Sequence, residues 1–438
     1  MNRILSLTTA MVIALGTFAT SIKTDRAWYL AGEAMQVSVS ADNALIAYAE
    51  LCDTHGLAAG VMISLKGGEG TGIIELPKDL HSGYYLLSAY TRNNADVSQQ
   101  LVAVINPLHK SKDDDIKWVR ADSCWVRADG VNGSYRELTG VSGQMNNNQL
   151  SIVNSLSSLL SPLSSGEVEG HIVRARIKNI FNGHTFRASQ ICPSLSIIGK
   201  QIHYFEGKMV NDTTAIFHTF GIHGKLPLVL SAMTTTGESL PIEMLSPFAT
   251  LLPKKLPHLV FHYKRSEVEA RSLDMQRHQI AIAPAKRELK IGEDADDTVE
   301  EGQPLDYDAK VFGTLPDLSY NLDQYRQFLT IKEVLVEYVL YVKRTKINGI
   351  PRLIVRREQD NYNNLLPTLV LIDGMPVNNI EPLLNYDARR INYINIYGGQ
   401  YTFGNDIYNG ILSFVTRSGR LTNYPTEPNT QYLVYEFP

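Results

Sequence analysis

Leu369-Val370-Leu371-Ile372-Asp373-Gly374-Met375-Pro376-Val377 is the stretch on which the fold of the C-terminal region turns. Its apolar run is too short for a helix and stops at Asp373-Gly374, a turn signal, so it predicts a buried strand ending in a sharp reversal. Downstream, Ile391 to Tyr397 and Ile411 to Thr416 supply two more strands. Tyr401-Thr402-Phe403-Gly404 lies between them, and Gly410 opens the second. Upstream, Thr330-Ile331-Lys332-Glu333 is a capping box that opens a helix. Ile331, Val334, Leu335 and Tyr338 then share one helical face, and the helix is expected to run to Val339. Tyr341 to Ile347, an Asn348-Gly349 turn and Pro351 to Arg357 read as a β-hairpin. Residues 318–425 are thus expected to form a small α+β domain with a mixed sheet.

A chain of 438 residues has room for two to four domains. Residues 23–107 alternate in short segments, such as Met35 to Val39 and Tyr84 to Tyr90, separated by glycine-rich turns. That pattern predicts an immunoglobulin-like β-sandwich. Gly83 is expected at a tight turn, after which Tyr85, Leu87 and Ala89 fall on one strand face. Residues 108–166 read as a connector with one or two strands around Trp118 to Arg127, and residues 167–252 as a second β-sandwich. Residues 253–317 read as a linker holding a short helix, Ser266 to Gln279, and an acidic loop. From Leu289 to Asp308 the chain carries eight Asp or Glu and one Lys, the composition of a solvated loop rather than a calcium site. The fold class is therefore mainly β and multidomain, with tandem sandwiches followed by the α+β domain.

Arg3 followed by the apolar run Ile4 to Ala19, closing in Thr17-Phe18-Ala19, predicts a secretory signal peptide over residues 1–19. The mature protein is expected to be exported, to the periplasm or the outer membrane, with peripheral rather than integral membrane association. A net charge of -4 gives no reason to expect nucleic-acid binding. Cys52, Cys124 and Cys192 are widely spaced and form no CxxC, which leaves open one disulfide with a free thiol, or three buried thiols.

Two segments of the first sandwich resemble macroglobulin MG2 domains: Thr24-Asp25-Arg26-Ala27-Trp28-Tyr29-Leu30-Ala31-Gly32-Glu33 and Leu76 to Thr91. The C-terminal motifs, from Asp373-Gly374 through Tyr401, Gly404 and Gly410, resemble in their order the plug domain of TonB-dependent receptors. Taken together the chain resembles a family of exported Bacteroidota proteins that join an MG2-like domain, a second sandwich and a plug-like domain without the barrel. Fewer than twenty residues follow Gly419, whereas the receptor barrel needs about 22 strands of roughly ten residues. The sequence departs from the plug pattern at Tyr397-Gly398-Gly399-Gln400, where a charged-Gly-Pro step is the rule. The resemblance implies a docking module rather than a transporter. The thioester of macroglobulin traps is not expected, because the cysteines precede Asp53, Trp125 and Pro193.

No catalytic motif, cofactor motif or metal-ligand spacing stands out, so the chain is expected to be no enzyme and to hold no cofactor or metal. His203, His218 and His223 are spaced for opposite strand faces rather than for one metal. The predicted hairpin is rich in cations: Lys343, Arg344, Lys346, Arg352, Arg356 and Arg357. Arg344, Lys346, Arg352 and Arg356 are candidates for docking an acidic partner or lipopolysaccharide phosphates. The same residues serve an exposed edge hairpin as protection against aggregation. Thr213 and Thr298, each after an Asp, fit the short Bacteroidota O-glycosylation pattern. Two functions follow: an envelope protein whose plug-like domain docks a partner, such as an outer-membrane complex, or a glycan- or peptide-binding protein that uses exposed tyrosines.

Overall fold

The computed structural model describes residues 20–93, 96–108, 110–120, 167, 170–199, 202–282, 314–347, 349–356, 366–403, 406–419, 421, 424–425 and 427–438. The apolar N-terminal run, Cys124, the acidic run, Thr298 and Gly404 lie outside them. The chain divides into two compact units. One comprises residues up to Val168 with Phe248–His278, and the other comprises Glu169–Pro247 with Gln279–Pro438. The protein is mainly β, with two immunoglobulin-like sandwiches and an α+β domain.

The first unit is a sandwich of two sheets. Three strands pair in the order Ser21–Thr24, Ala34–Ser40, Glu69–Glu75. Five pair in the order Trp28–Leu30, Val97–Ile105, Gly83–Tyr90, Ile46–Cys52, Leu57–Ser64. Alternation sets the faces. Met35, Val37 and Val39 turn inward while Gln36 and Ser38 face water. They meet Tyr85, Leu87, Leu51 and Val104 in one core. Gly83 itself sits within a strand, at a negative φ, so the expected requirement for glycine at a turn is not met there. Strand Ile46–Cys52 is buried on both faces. Its outer face carries Tyr48, which packs with Tyr90, Leu251 and Phe248.

Buried polar groups on that outer face are paired, as burial requires. Glu50 accepts from the Tyr90 hydroxyl at 3.1 Å and from the Thr250 and Leu251 amides. Arg92 and Glu167, each 2% exposed, form an ion pair at 2.8 Å. The Tyr48 hydroxyl donates to the same Glu167 carboxylate at 2.7 Å. These bonds fasten the segments at 167 and 249–251 to the sheet.

The helix expected over Ser266 to Gln279 runs over Arg265–Ile282. Val268 and Met275 pack with Leu30, Ala103 and Ile105 of the sandwich. Arg271 lies 3.7 Å over the Trp28 ring and bonds Glu33 at 2.6 Å. Where one or two strands were expected around Trp118 to Arg127, Ile116–Arg120 is a strand paired in parallel with Leu259–Tyr263, and residues 121–127 lie outside the described residues.

In the second unit, one sheet of the sandwich runs Lys208–Asn211, Thr214–Thr219, His171–Ile177, Ile242–Met244. The other runs His203–Glu206, Ile191–Ile197, Gly224–Thr234, Gln431–Phe437. Its last strand therefore comes from the end of the chain, beyond the α+β domain, whereas the sequence reading ended this sandwich at residue 252. Seven residues of Gln431–Phe437 pair with Gly224–Thr234. Tyr435 bonds the buried His171 ring at 2.6 Å.

The α+β domain has a five-stranded mixed sheet: Leu318–Asn321, Ile391–Phe403, Asp406–Thr416, Leu369–Ile372, Met375–Pro376. Leu369–Ile372 runs parallel to Asp406–Thr416, and the remaining pairs are antiparallel. The helices Ile331–Glu337 and Ile380–Leu384 cover one face of this sheet. Ile331, Val334, Leu335, Ile380 and Leu383 share a core with Ile394, Leu412 and Phe414. The first helix stops at Glu337, two residues before the expected end. Its capping box is formed, with Thr330 N–H donating to Glu333 at 3.1 Å and Glu333 N–H to Thr330 Oγ1 at 3.4 Å. Among the described residues no helix is long and apolar enough to cross a membrane.

Candidate interaction surface

Asp373 and Gly374 form the reversal after the buried strand Leu369–Ile372, and both act structurally. Asp373 is 1% exposed, and its carboxylate accepts from Thr416 N–H at 2.7 Å, from the Thr416 hydroxyl and from Leu421 N–H at 3.1 Å. The carboxylate thereby holds the chain that leaves Asp406–Thr416. Burial raises the Asp373 pKa above the ordinary carboxylate value, against the opposing pull of these hydrogen bonds. Gly374 sits at φ +90°, and a Cβ there would lie 2.8 Å from the Ile197 carbonyl oxygen and 2.9 Å from Ile202. The turn thus presses backbone to backbone against the second sandwich, which only glycine permits. Ile202 and Tyr204 of that sandwich pack with Leu369, Leu371, Tyr397 and Ile411 in one cluster.

Tyr401 and Tyr408 face each other across the two-stranded extension of the sheet and pack against that cluster. A bulge falls between Tyr397 and Gln400, where the sequence departs from the plug pattern. Gly410 lies where a Cβ would come 3.0 Å from Val355 and 3.1 Å from the Tyr397 carbonyl. Gly374, Tyr401 and Gly410 thus each border this cluster, whereas Asp373 bonds Thr416 and Leu421.

The predicted hairpin is formed by Val342–Ile347 and Ile350–Val355. Leu353 and Val355 enter the core of the α+β domain, which fixes the hairpin to it. Its four docking candidates differ in their surroundings. Arg344 forms an ion pair with Glu381, both partly exposed. Arg352 is half-buried and donates to the Asn378 carbonyl at 3.4 Å. Lys346 and Arg356 are exposed, as is Lys343. The cationic face is thus narrower than the sequence count suggests.

Near the hairpin in the chain, several large apolar residues are exposed, which the sequence reading alone did not indicate. Leu329, Val336, Leu340 and Tyr341 are 67%, 77%, 63% and 44% exposed. Tyr341 stands at φ +64°, where a bulky side chain costs roughly 1–2 kcal/mol. Its carbonyl accepts from Arg356 N–H at 2.7 Å, which sets Leu340-Tyr341 at the base of the hairpin beside Arg356. The signal lay in the helical wheel, since Val336 falls off the face formed by Ile331, Val334, Leu335 and Tyr338.

Elsewhere among the described residues the chemistry is sparse. Thr213 is exposed in a hairpin turn, its hydroxyl donating to Asn211 at 3.1 Å. Cys52 is buried, and burial pushes its thiol pKa up, which disfavours the thiolate. Neither Cys52 nor Cys192 carries a disulfide. His203 stacks on Phe205, while the His223 ring meets the Pro438 carbonyl at 2.6 Å. Among the described residues no three His, Cys, Asp or Glu side chains are placed to hold a metal.

No protein-family model matches the chain, and no curated protein does. Among solved structures, it is similar to the BSP domain of a biofilm-associated protein at 11% identity and TM-score 0.16, over 54% of this chain and 30% of that one. It is similar to elastase-activated α2-macroglobulin of Escherichia coli at 8% identity and TM-score 0.18, over 53% of this chain and 20% of that one. For methylamine-reacted α2-macroglobulin of Salmonella the values are 10%, 0.17, 52% and 14%. The chain spans less than a third of each of these structures. At such TM-scores the likeness carries no argument, and the sandwich assignment rests on strand pairing.

Proposed function

We propose that this is a non-enzymatic protein of the cell envelope whose α+β domain docks a partner, with the β-sandwiches as spacers. The observation that carries the reading is the hairpin of Val342–Ile347 and Ile350–Val355. It is anchored by buried Leu353 and Val355, yet Lys343 and Lys346 are exposed. A hairpin mounted rigidly on the core and carrying exposed lysines suits recognition, because little ordering entropy is lost on binding. The plug-like order of motifs around Asp373, Tyr401 and Gly410 supports an outer-membrane setting, and the apolar N-terminal run supports export. The partner is an envelope protein or outer-membrane complex with an acidic surface. Exposed Thr213 is a site for O-glycosylation on this reading. The test is crosslinking in the native cell with wild type and with Lys343→Glu/Lys346→Glu. Capture of a defined partner that the charge reversal reduces at least tenfold supports docking. Equal capture by both removes the hairpin from the interface.

A further inference from the structure

Three loops meet at one end of the first sandwich. One joins Ala34–Ser40 to Ile46–Cys52, one joins Leu57–Ser64 to Glu69–Glu75, and one joins Gly83–Tyr90 to Val97–Ile105. The first is tied to both of the others. Ala41 N–H donates to the Gly68 carbonyl at 2.8 Å, and Asn93 Nδ2 donates to the Asn43 carbonyl at 3.0 Å. Gly68 has φ +85°, and a Cβ there would come 3.1 Å from the Ala41 carbonyl oxygen, so glycine lets these two loops close up. The loops line a cleft of about 620 Å³, within the range of small-molecule sites. Glu167 also lines it, its carboxylate already held by Arg92 and Tyr48. Loops mounted on the end of a rigid sandwich are where binding residues concentrate.

The lining selects a class of ligand. Among the described residues that form it there is no Lys or Arg, and Asp42 adds a carboxylate, so an anion is repelled. Asn93 Oδ1 is buried without a hydrogen-bond partner. A buried acceptor of this kind calls for a donor. Asp42 and Asn43 are exposed in the same lining, and they offer a carboxylate that only accepts and an amide that accepts and donates. Leu45, 46% exposed, adds an apolar ledge. The matching ligand is uncharged, rich in donors and apolar on one face. A saccharide has that chemistry, with hydroxyls around its rim and C–H groups across its face. A peptide would bring as many carbonyls as N–H groups, and a bare cation would leave Leu45 and most of the cleft unused. We infer that this cleft binds a neutral saccharide. The cross-tied loops hold the site ready, so little ordering entropy is lost on binding. The site lies in the first unit and does not rest on the docking reading of the hairpin.

The test is saturation-transfer NMR of the purified full chain with glucose, galactose, mannose, N-acetylglucosamine, cellobiose and lactose, each titrated to obtain Kd. The expected result is transfer to at least one of these sugars. Asp42→Ala should weaken that binding by about tenfold or more, because hydrogen bonds to a charged group are lost. Asn43→Gly should weaken it by about two- to tenfold. Asn43 stands at φ +56°, which glycine accepts, and both positions are exposed, so melting temperatures should match wild type. Lys343→Glu/Lys346→Glu should bind the sugar as wild type does, since the hairpin belongs to the other unit. No transfer to any of these sugars, or unchanged binding by Asp42→Ala, would overturn the assignment. A rise in melting temperature with calcium chloride or triglycine that Asp42→Ala removes, without sugar binding, would overturn it in favour of a cation or a peptide. None of these results bears on crosslinking through the hairpin, so failure here and failure of the docking reading are distinguishable.

Discussion

Replacing Gly374 by alanine isolates the contact between the α+β domain and the second sandwich. Two costs follow from the geometry. At φ +90° a Cβ meets its own backbone, worth about 1–2 kcal/mol. The same Cβ lies 2.8 Å from the Ile197 oxygen and 2.9 Å from Ile202, so one side must move, at about 1–3 kcal/mol. The reduced freedom of the unfolded chain returns about 0.4–1 kcal/mol. The net expectation is a loss of roughly 1–5 kcal/mol, and Gly374→Val should lose more because its γ-methyls reach further. Gly349 provides the control, since it has φ +80° but nothing within 4 Å of its Cβ position. Gly349→Ala should therefore show only the backbone cost. The assay is urea unfolding followed by circular dichroism, with both alanine variants compared at equal slope. Equal losses at Gly374 and Gly349 would refute the proposed backbone contact.

Other outcomes follow from the same packing. Asp373→Asn should lose about 1–3 kcal/mol, because an amide nitrogen then faces donors from Thr416 or Leu421. The raised pKa of Asp373 means that its protonated form favours the folded state. That contribution is full below the unfolded carboxylate pKa and is lost as pH rises through the folded value. Asp373→Asn should remove this part of the pH slope in unfolding experiments. Truncation after Asn429 should destabilise the second sandwich, since it deletes the strand Gln431–Phe437 and its Tyr435–His171 bond. A truncated chain with unchanged unfolding would contradict the pairing. Cys52 should resist iodoacetamide at pH 8 until denaturant is added, because burial suppresses its thiolate. N-terminal sequencing of the protein from its native cell should begin near Thr20, and recovery of Met1 would contradict export.

Much of the architecture could be read from local pattern. Period-two alternation marked Met35 to Val39, the capping box marked Thr330, and Asn348-Gly349 marked the hairpin. The edge strand Gln431–Phe437 was not legible, because its partner lies some two hundred residues away and no local signal states that pairing. The turn at Asp373-Gly374 was legible as a reversal, but its role was not. What requires glycine there is the Ile197 carbonyl, a neighbour that only the folded chain brings close. The hairpin's charge was countable in the sequence. Its distribution was not, since Glu381 and Asn378 engage Arg344 and Arg352 from a distant helix and its entrance. The exposure of Leu340 and Tyr341 was not legible because it depends on which face the core takes.

The central claim is that the α+β domain docks through its hairpin. Its most direct test is a photo-crosslinking residue placed at Lys346 in the native cell, with one at exposed Lys255 in the first unit as control. The account predicts a discrete adduct from the Lys346 position, from envelope material, and none of that mass from Lys255. Absence of any adduct at Lys346, or the same adduct from both positions, would contradict it.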